Sequence, residues 1–173
     1  MAKVLFISED YVKRNSTVDE NVDAKLIYSA IQDAQDIQIH ELLGTDLYNK
    51  LKADLEAFIE NATAIPANYK TLLDDYVTPA LLKWTEFEMK YMNHYKIRNS
   101  GSMIRTSDNS TAANFTEVKY LMDKESYKAQ FYSNILVDYL CGNGDLFPEY
   151  CSNDDAGDIQ GIDSGFKSPI FLG

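Results

Sequence analysis

Apolar residues recur at intervals of three and four along most of this chain, and that spacing constrains its fold more than any other feature. The clearest series begin at Val22, Leu47, Tyr69, Leu81 and Val118. Each series places apolar side chains along one side of a helix, and that side must be buried against another element. The pattern therefore predicts an all-α protein, a bundle of four to five helices.

A tight corner is predicted between two of these helices. In the stretch IHELLGTDLYNKL, residues 39–51, one apolar series ends at Leu43 and the next opens after Thr45. Gly44 suits a helix C-cap, because glycine adopts a left-handed conformation at little cost, and Thr45 suits the N-cap of the following helix. Caps placed back to back predict a linker of one or two residues. The series before the corner changes phase near Ile37, which predicts a kink there.

The composition changes at Gly142, so two regions are predicted: a helical domain over residues 1–141 and an extended Gly- and Asp-rich tail over residues 142–173. Six of the eight glycines lie in the tail, together with six acidic residues and a single lysine. Such a segment cannot bury enough apolar surface to form a core of its own. It nevertheless contains the apolar islands LFPEY and SPIFLG, so we expect it to dock on another surface.

Two further segments lack a helical period. The run KVLFI at residues 3–7 suits either a strand or an extended arm docked on the bundle. Residues 97–113 are predicted to form a long polar loop, and loops of that length in compact domains are usually functional or disordered. Arg98 and Arg105 lie in this loop. Their guanidinium groups suit an acidic partner surface or a phosphate, and the alternative is a solvated loop.

No arrangement of residues indicates catalysis. His40 and His94 are the only histidines and fall on different predicted helices, so we interpret both as surface residues. Cys141 and Cys151 lack the local context of an activated nucleophile and are interpreted as reduced thiols. The acidic run NDDAGDIQGID does not have the spacing of an EF-hand loop, and no glycine-rich phosphate-binding motif is present. We therefore expect no enzymatic activity, no cofactor and no metal site.

The charge of the chain argues against nucleic-acid binding. The formal net charge is −11, whereas affinity for nucleic acid comes from Lys and Arg contacts to phosphates. The sequence contains no apolar run of the length that spans a bilayer. Its first residues also lack the pattern of a signal peptide, so an intracellular, membrane-independent protein is expected.

The stretch from Ile7 to Leu51 contains a recognisable set of residues: Ser8, Tyr11, Asn21-Val22-Asp23, Ala34-Gln35, Leu43-Gly44-Thr45, Leu47-Tyr48 and Leu51. With these residues it resembles the N-terminal half of the helical head–tail connector proteins of tailed phages, also called adaptor or ring proteins. It looks most like the versions from crAss-like and other Bacteroidetes phages.

The resemblance implies a homo-oligomeric ring, usually of about twelve copies, beneath the portal of a virion. Its partners would be further copies of the chain, the portal protein and downstream tail or ring proteins, with DNA passing through without specific binding. Such a protein has no enzymatic activity. It would be assembled in the cytoplasm of the bacterial host and would end in the neck of the virion.

We predict that the loop and the tail contact neighbouring subunits or the portal. The contact residues are Arg98, Arg105, Leu146, Phe147, Ile170, Phe171 and Leu172. Two alternative functions stay open at this stage. One is a small acidic regulatory protein, such as a DNA mimic, which would need carboxylates ranked along one face. The other is an enzyme that uses the cysteines or histidines.

Overall fold

The computed structural model describes residues 4–18, 21–98, 101–104, 115–151 and 158–162. The helices are α1 (Glu9–Asn15), α2 (Ala24–Asp33), α3 (His40–Leu43), α4 (Thr45–Asn61), α5 (Ala67–Thr71), α6 (Thr78–His94), α7 (Phe115–Gly142) and α8 (Pro148–Cys151). Two π-helical stretches, Ala34–Ile39 and Leu72–Val77, connect α2 to α3 and α5 to α6. The described chain therefore forms a bundle of five helical rods followed by short turns, which confirms the predicted fold class.

The first π-helical stretch explains the change of phase seen in the sequence. Asp33 and His40, on either side of Ala34–Ile39, keep right-handed helical dihedrals, so the rod is continuous. A π-helical turn is wider than an α-helical one and rotates the side chains that follow it. The phase change that the sequence shows near Ile37 lies within this stretch.

The second π-helical stretch precedes Pro79. A Thr-Pro pair either begins a new helix, with proline at its first position, or interrupts an existing one. Thr78 has φ −58° and ψ −47°, so the helix continues through this point. Inside an α-helix, proline removes one hydrogen bond and crowds the carbonyl four residues earlier. The wide turns of Leu72–Val77 come where that crowding would arise, and α5 and α6 form one rod.

Helix α6 lies at the centre of the bundle and packs against α2 and α7. The largest fully buried apolar side chains are Ile27, Ile31, Ile39, Leu43, Leu47, Leu51, Leu72, Leu81, Leu136, Leu140 and Phe147. A polar link crosses the contact between α6 and α7, because Trp84 Nε1 donates to Ser133 Oγ over 2.9 Å. The Ser133 hydroxyl in turn donates to the carbonyl of Ala129 over 3.0 Å. The buried indole N–H is thereby satisfied, which fixes the register of the two helices.

Helix α7 runs without a break through the polar patch DKES at residues 123–126. Its 28 residues span roughly 42 Å. Glu125, within the patch, is buried. Its carboxylate forms ion pairs with the ammonium groups of Lys90, at 2.7 Å, and Lys128, at 3.0 Å. Burial raises the pKa of Glu125, but the two lysines outweigh it and hold the pKa below its usual value. The helix continues through this polar patch because the buried carboxylate is paired.

The prediction of a loop over residues 97–113 is wrong for the first part of that range. Strand β1 (Tyr95–Arg98) pairs antiparallel with β2 (Gly101–Ile104), with Arg98 opposite Gly101. Strands of four residues are too short to show a clear alternation in the sequence. Residues 105–113 of the predicted loop lie outside the described part of the chain.

The beginning of the predicted tail belongs to the bundle. After α7 the chain forms a 3₁₀ turn at Gly144–Leu146 and then α8. Phe147 between them is fully buried, with its ring 5.5 Å from that of Tyr69 and 5.9 Å from that of Tyr139. These contacts place the first tail residues on α5 and α7.

Candidate functional site

The corner between α3 and α4 has a single linking residue. Gly44 has φ 75° and ψ 163°. The positive φ favours glycine, as the sequence predicted, although ψ is extended rather than left-handed helical. The prediction that Thr45 is the N-cap is wrong, because Gly44 holds that position and Thr45 is the first residue of α4. The Thr45 hydroxyl is used for a different contact.

That contact is with residues 158–162, which we call the C-terminal strap. Thr45 donates its backbone N–H to the carbonyl of Ile159, and its Oγ1 accepts the N–H of Ile159, both over 2.9 Å. The Tyr150 hydroxyl donates to the carbonyl of Ile162. Gly161 lies against the Tyr150 ring so closely that an added Cβ would come 2.3 Å from Cε2. The strap is therefore held at both of its ends.

His40 lies beside the same contact. Its ring stacks on that of Tyr48, with centroids 4.5 Å apart and an interplanar angle of 20°. Its Nε2 is 3.1 Å from Thr45 Oγ1. Burial and the positive charge of Lys52 lower the pKa of His40, while Asp158 on the strap opposes them. His40 is thus half-buried and favours the neutral form, which corrects its interpretation as a surface residue.

The first described residues, 4–8, form neither a helix nor a strand and bend at Phe6 and Ile7, and they dock on the bundle as an N-terminal arm. Gln35, fully buried in the first π-helical stretch, holds this arm. Its Oε1 accepts the N–H of Phe6 over 2.8 Å, and its Nε2 donates to the carbonyl of Val4 over 3.0 Å. A single side chain therefore satisfies two backbone groups of the arm, in the way that a strand partner would.

Tyr48 joins the arm to the corner. Its hydroxyl accepts a hydrogen bond from Gln35 Nε2 over 3.2 Å and donates one to Asp36 Oδ1 over 2.9 Å. One neighbour of its ring is His40, and another is Phe6, at a centroid distance of 5.5 Å. Burial raises the pKa of Tyr48, so the hydroxyl stays protonated and keeps donating. Both ends of the described chain are thereby connected to one helix corner.

A sequence family matches residues 39–159, which is more than two thirds of the chain. The chain belongs to DUF6712, a family of unknown function. The matched segment starts at the helix corner and ends at Ile159, so it includes both sides of the contact between Thr45 and the strap. No curated protein and no solved structure matches the chain.

The contact residues predicted for this DUF6712 chain have different outcomes. Phe147 is buried in the core of its own chain, so the prediction that it contacts another subunit is wrong. Leu146 is 49% exposed, and its predicted contact stays a prediction. Arg98 ends β1, and nothing is described of its side chain. Arg105, Ile170, Phe171 and Leu172 lie outside the described residues.

The chemistry-bearing residues of the DUF6712 chain are not brought together. In the described ranges, no group of three or more His, Cys, Asp or Glu residues is placed to hold a metal ion. Cys141 is exposed near the end of α7, whereas the side chains of His94 and Cys151 lie outside the described part. Within that same part, no helix is both long and apolar enough to cross a bilayer.

Two surface features of the DUF6712 chain were missed by the sequence analysis. One is the strap, whose only apolar residues are Ile159 and Ile162 in a segment of polar and small residues. The other concerns the aromatic residues of the helices, which lie both in the core and on the surface. Trp84 is buried, and Tyr76 stacks on Tyr139 at 3.8 Å. Tyr120 and Tyr127, however, are 68% and 75% exposed on α7, and a helical period alone does not reveal that.

Proposed function

We propose that this DUF6712 chain is a structural ring subunit of a phage neck, which connects the portal to the tail and lines the DNA exit channel. It would be assembled in the cytoplasm of the bacterial host, with further copies, the portal and downstream tail or ring proteins as partners. The proposal joins the resemblance of residues 7–51 to phage connectors with the helix corner at Gly44.

The corner is the observation that carries the proposal. Subunits close into a ring only if each of them holds the same angle between its two contact surfaces. Here one glycine links α3 and α4, the arm is bound through Gln35 and Tyr48, and the strap is bound through Thr45. A corner that is fixed from both sides is suited to hold a constant angle. Most helical bundles have no need of such an arrangement, because their loops tolerate variation.

The negative net charge of the chain is suited to the wall of a channel through which DNA passes. A chain of net charge −11 that is repeated around a ring gives a strongly negative assembly. Negative charge along a channel repels the phosphate backbone and so favours passage of DNA over binding. DNA is therefore a transient occupant in this proposal.

The test is native mass spectrometry and negative-stain imaging of the purified chain, with and without its candidate portal. Twelve chains of 19.6 kDa would give a ring of roughly 235 kDa. Such rings, or a collar that forms only on the portal, would support the proposal. A monomer that ignores the portal would contradict it and would favour the small acidic binding protein instead.

A glycine pair offers a matched control for the role of the corner. Gly44→Ala forces an L-residue into φ 75° and ψ 163°, a conformation that essentially only glycine adopts. Gly142→Ala places a Cβ in open space at the end of α7. We expect the first variant to lose the ring or collar and the second to keep it. A complete collar formed by Gly44→Ala would show that the corner does not set the ring angle.

A further inference from the structure

An apolar groove lies open at the surface between α4 and α5. It has a cavity of about 300 Å³. We call it the α4–α5 groove, and its apolar lining is Phe6, Leu55, Phe58, Ala64, Ile65 and Leu73. Phe58 is 52% exposed, so apolar surface at this place is in contact with water. A cavity of this size and lining accepts a small number of apolar side chains.

The charged residues that line the groove are already paired. Lys70 and Asp74 lie in its wall, and their side chains form an ion pair with each other. An occupant that paired with either residue would have to compete with this existing pair. The groove therefore favours an uncharged, apolar segment.

One segment of the chain itself has that composition. The parts of the chain outside the described ranges are residues 1–3, 19–20, 99–100, 105–114, 152–157 and 163–173. Among them, only residues 163–173 carry aromatic or branched aliphatic side chains. The stretch SPIFLG, at 168–173, has no charged side chain. Its residues 170–172, which we call the IFL segment, therefore have the chemistry that the groove accepts.

The strap brings the chain to the side of the bundle where the groove lies. Its last residue, Ile162, accepts a hydrogen bond from the Tyr150 hydroxyl on α8. The neighbouring Glu149 accepts one from the Tyr69 hydroxyl of α5 over 2.7 Å. Lys50 of α4 lies over the Tyr69 ring, with Nζ 4.8 Å from the ring centroid. The strap therefore ends on α8, next to the side of α4 that carries Lys50.

The distance from there to the groove is within reach of the IFL segment. Residues four apart form a row along α4, and the row of Lys50 and Asp54 leads to Phe58 in the groove. Lys50 and Phe58 are roughly 12 Å apart along the helix. The chain from Ile162 to Phe171 extends over up to roughly 30 Å. More than half of that length remains for crossing α8.

The tether also favours the chain's own segment over that of a second copy. A short flexible linker gives its own binding segment a roughly millimolar effective concentration. In a micromolar solution, a second copy offers its segment at a concentration about a thousand times lower. The groove can therefore be filled within one chain.

We propose that the IFL segment docks in the α4–α5 groove of its own chain. The contact would cover Phe58 and would engage the three residues that the sequence assigned to neighbouring subunits or the portal. It does not depend on the proposed ring function, because it lies within one chain and is measured on the isolated chain.

Disulfide trapping in the full-length chain tests this contact. The trapping pair is Ala64→Cys, at an exposed position of the groove lining, and Gly173→Cys, next to the IFL segment. The matched control combines Gly173→Cys with Ala53→Cys. Ala53 is also exposed on α4, but it lies two residues before Leu55 and so faces away from the groove. Neither pair changes a large apolar residue of the groove or of the IFL segment.

The native cysteines, Cys141 and Cys151, are replaced by serine in every variant. Each chain is equilibrated at micromolar concentration in a glutathione redox buffer. Intact mass then gives the fraction with an intramolecular disulfide, and that fraction gives the effective concentration of the two thiols.

We expect the effective concentration for the Ala64 pair to exceed that for the Ala53 pair by roughly tenfold or more. Adding Phe171→Ser or Phe58→Ser should lower the value of the Ala64 pair to that of the Ala53 pair. Phe58 is more than half exposed and Phe171 lies outside the described bundle, so both variants should keep the fold.

Three results would overturn the inference. Equal values for the two pairs would show that the IFL segment does not occupy the groove. A value for the Ala64 pair that Phe171→Ser leaves unchanged would show that trapping reflects reach alone. Disulfide-linked dimers in place of the intramolecular bond would assign the segment to a neighbouring copy, as the sequence predicted.

Discussion

The N-terminal arm and the C-terminal strap are attached to the same helix corner by different means. Both lack regular secondary structure, and both are bound by one polar side chain that pairs with their backbone. The side chain that holds the arm, Gln35, is fully buried. The side chain that holds the strap, Thr45, is only partly buried, and its partner Ile159 is 41% exposed. The bond from Ile159 to the Thr45 hydroxyl is exposed and those of the arm are part-buried, so water replaces the bonds of the strap more readily than those of the arm.

This difference determines how each segment opens. A buried polar group that loses its partner costs about 1–3 kcal/mol, whereas an exposed one is solvated again. Segments with few buried contacts also open locally, at free energies well below that of global unfolding. We infer that the arm opens only when the bundle unfolds and that the strap opens by itself. The following predictions test that distinction.

The largest effect is expected at Gln35. Gln35→Ala removes three hydrogen bonds, to Phe6, Val4 and Tyr48, and leaves the Phe6 N–H without its partner. We expect the free energy of unfolding to fall by about 3 kcal/mol. Urea denaturation followed by the fluorescence of Trp84, the single tryptophan, measures it.

A neighbouring glutamine provides the control. Gln38→Ala changes the same residue type in the same π-helical stretch, at a partly exposed position. It should shift stability by no more than about 0.5 kcal/mol. Equal losses for Gln35→Ala and Gln38→Ala would show that the arm is not held by buried hydrogen bonds.

The sequence predicted the helices well because their apolar spacing is a local signal. The corner at Gly44 and the end of α4 at Asn61 follow from capping residues and apolar period, and both were found. The roles of Gln35 and Thr45 were not predicted, since each depends on a residue far away in the chain. Gln35 is bonded to residues about thirty positions earlier, and Thr45 to one 114 positions later. No period or capping rule reports such pairs.

The candidate contact residues show the same limit. Phe147 was expected at an interface because it lies in a segment rich in Gly and Asp, yet three-dimensional packing buries it against Tyr69. Tyr127 was placed on a helix correctly, but its 75% exposure depends on which side of α7 faces α6. When both sides of a helix are apolar, the sequence alone does not determine which one is covered.

A smaller effect, confined to the strap, is expected at Gly161. In Gly161→Ala the new Cβ overlaps the Tyr150 ring, and the strap must move away from it. We expect local opening of the strap to become easier by about 1–2 kcal/mol, so amide exchange of Ile159 should quicken by a factor of about 5–30. Gly144→Ala, whose Cβ meets open space, is the matched control. An equal loss of global stability would contradict independent opening.

Thr45→Val should change the free energy of strap opening by still less, although it also removes the acceptor of the Ile159 amide itself. It removes the hydroxyl that accepts the Ile159 N–H but keeps the backbone bond from Thr45 to the Ile159 carbonyl. Loss of one partly exposed hydrogen bond lowers the free energy of strap opening by about 0.5–1.5 kcal/mol. Thr45→Ser keeps the hydroxyl and should restore protection of the Ile159 amide. Failure of serine to restore it would assign the effect to packing of the methyl group.

The smallest effect is expected from pH, and it acts through His40, which contacts both Thr45 and Tyr48. The folded pKa of His40 lies below 6.5, so between the two pKa values the unfolded chain binds more protons than the folded one. The contribution of His40 to stability is therefore complete above pH 6.5 and is lost as the pH falls through its folded pKa. Urea midpoints between about pH 7.5 and about pH 5.5 measure this loss. His40→Gln should flatten the profile.

Asp158 determines whether this acid sensitivity acts through the strap. Its carboxylate raises the pKa of His40, against burial and Lys52, and so partly stabilises the protonated ring. Asp158→Asn removes that attraction, which lowers the folded pKa further and makes the loss of stability on acidification larger. If Asp158→Asn leaves the acid dependence unchanged while His40→Gln abolishes it, the strap does not sense the charge of His40. If it increases the dependence, the Asp158 carboxylate on the strap partly offsets the loss of stability that protonation of His40 causes.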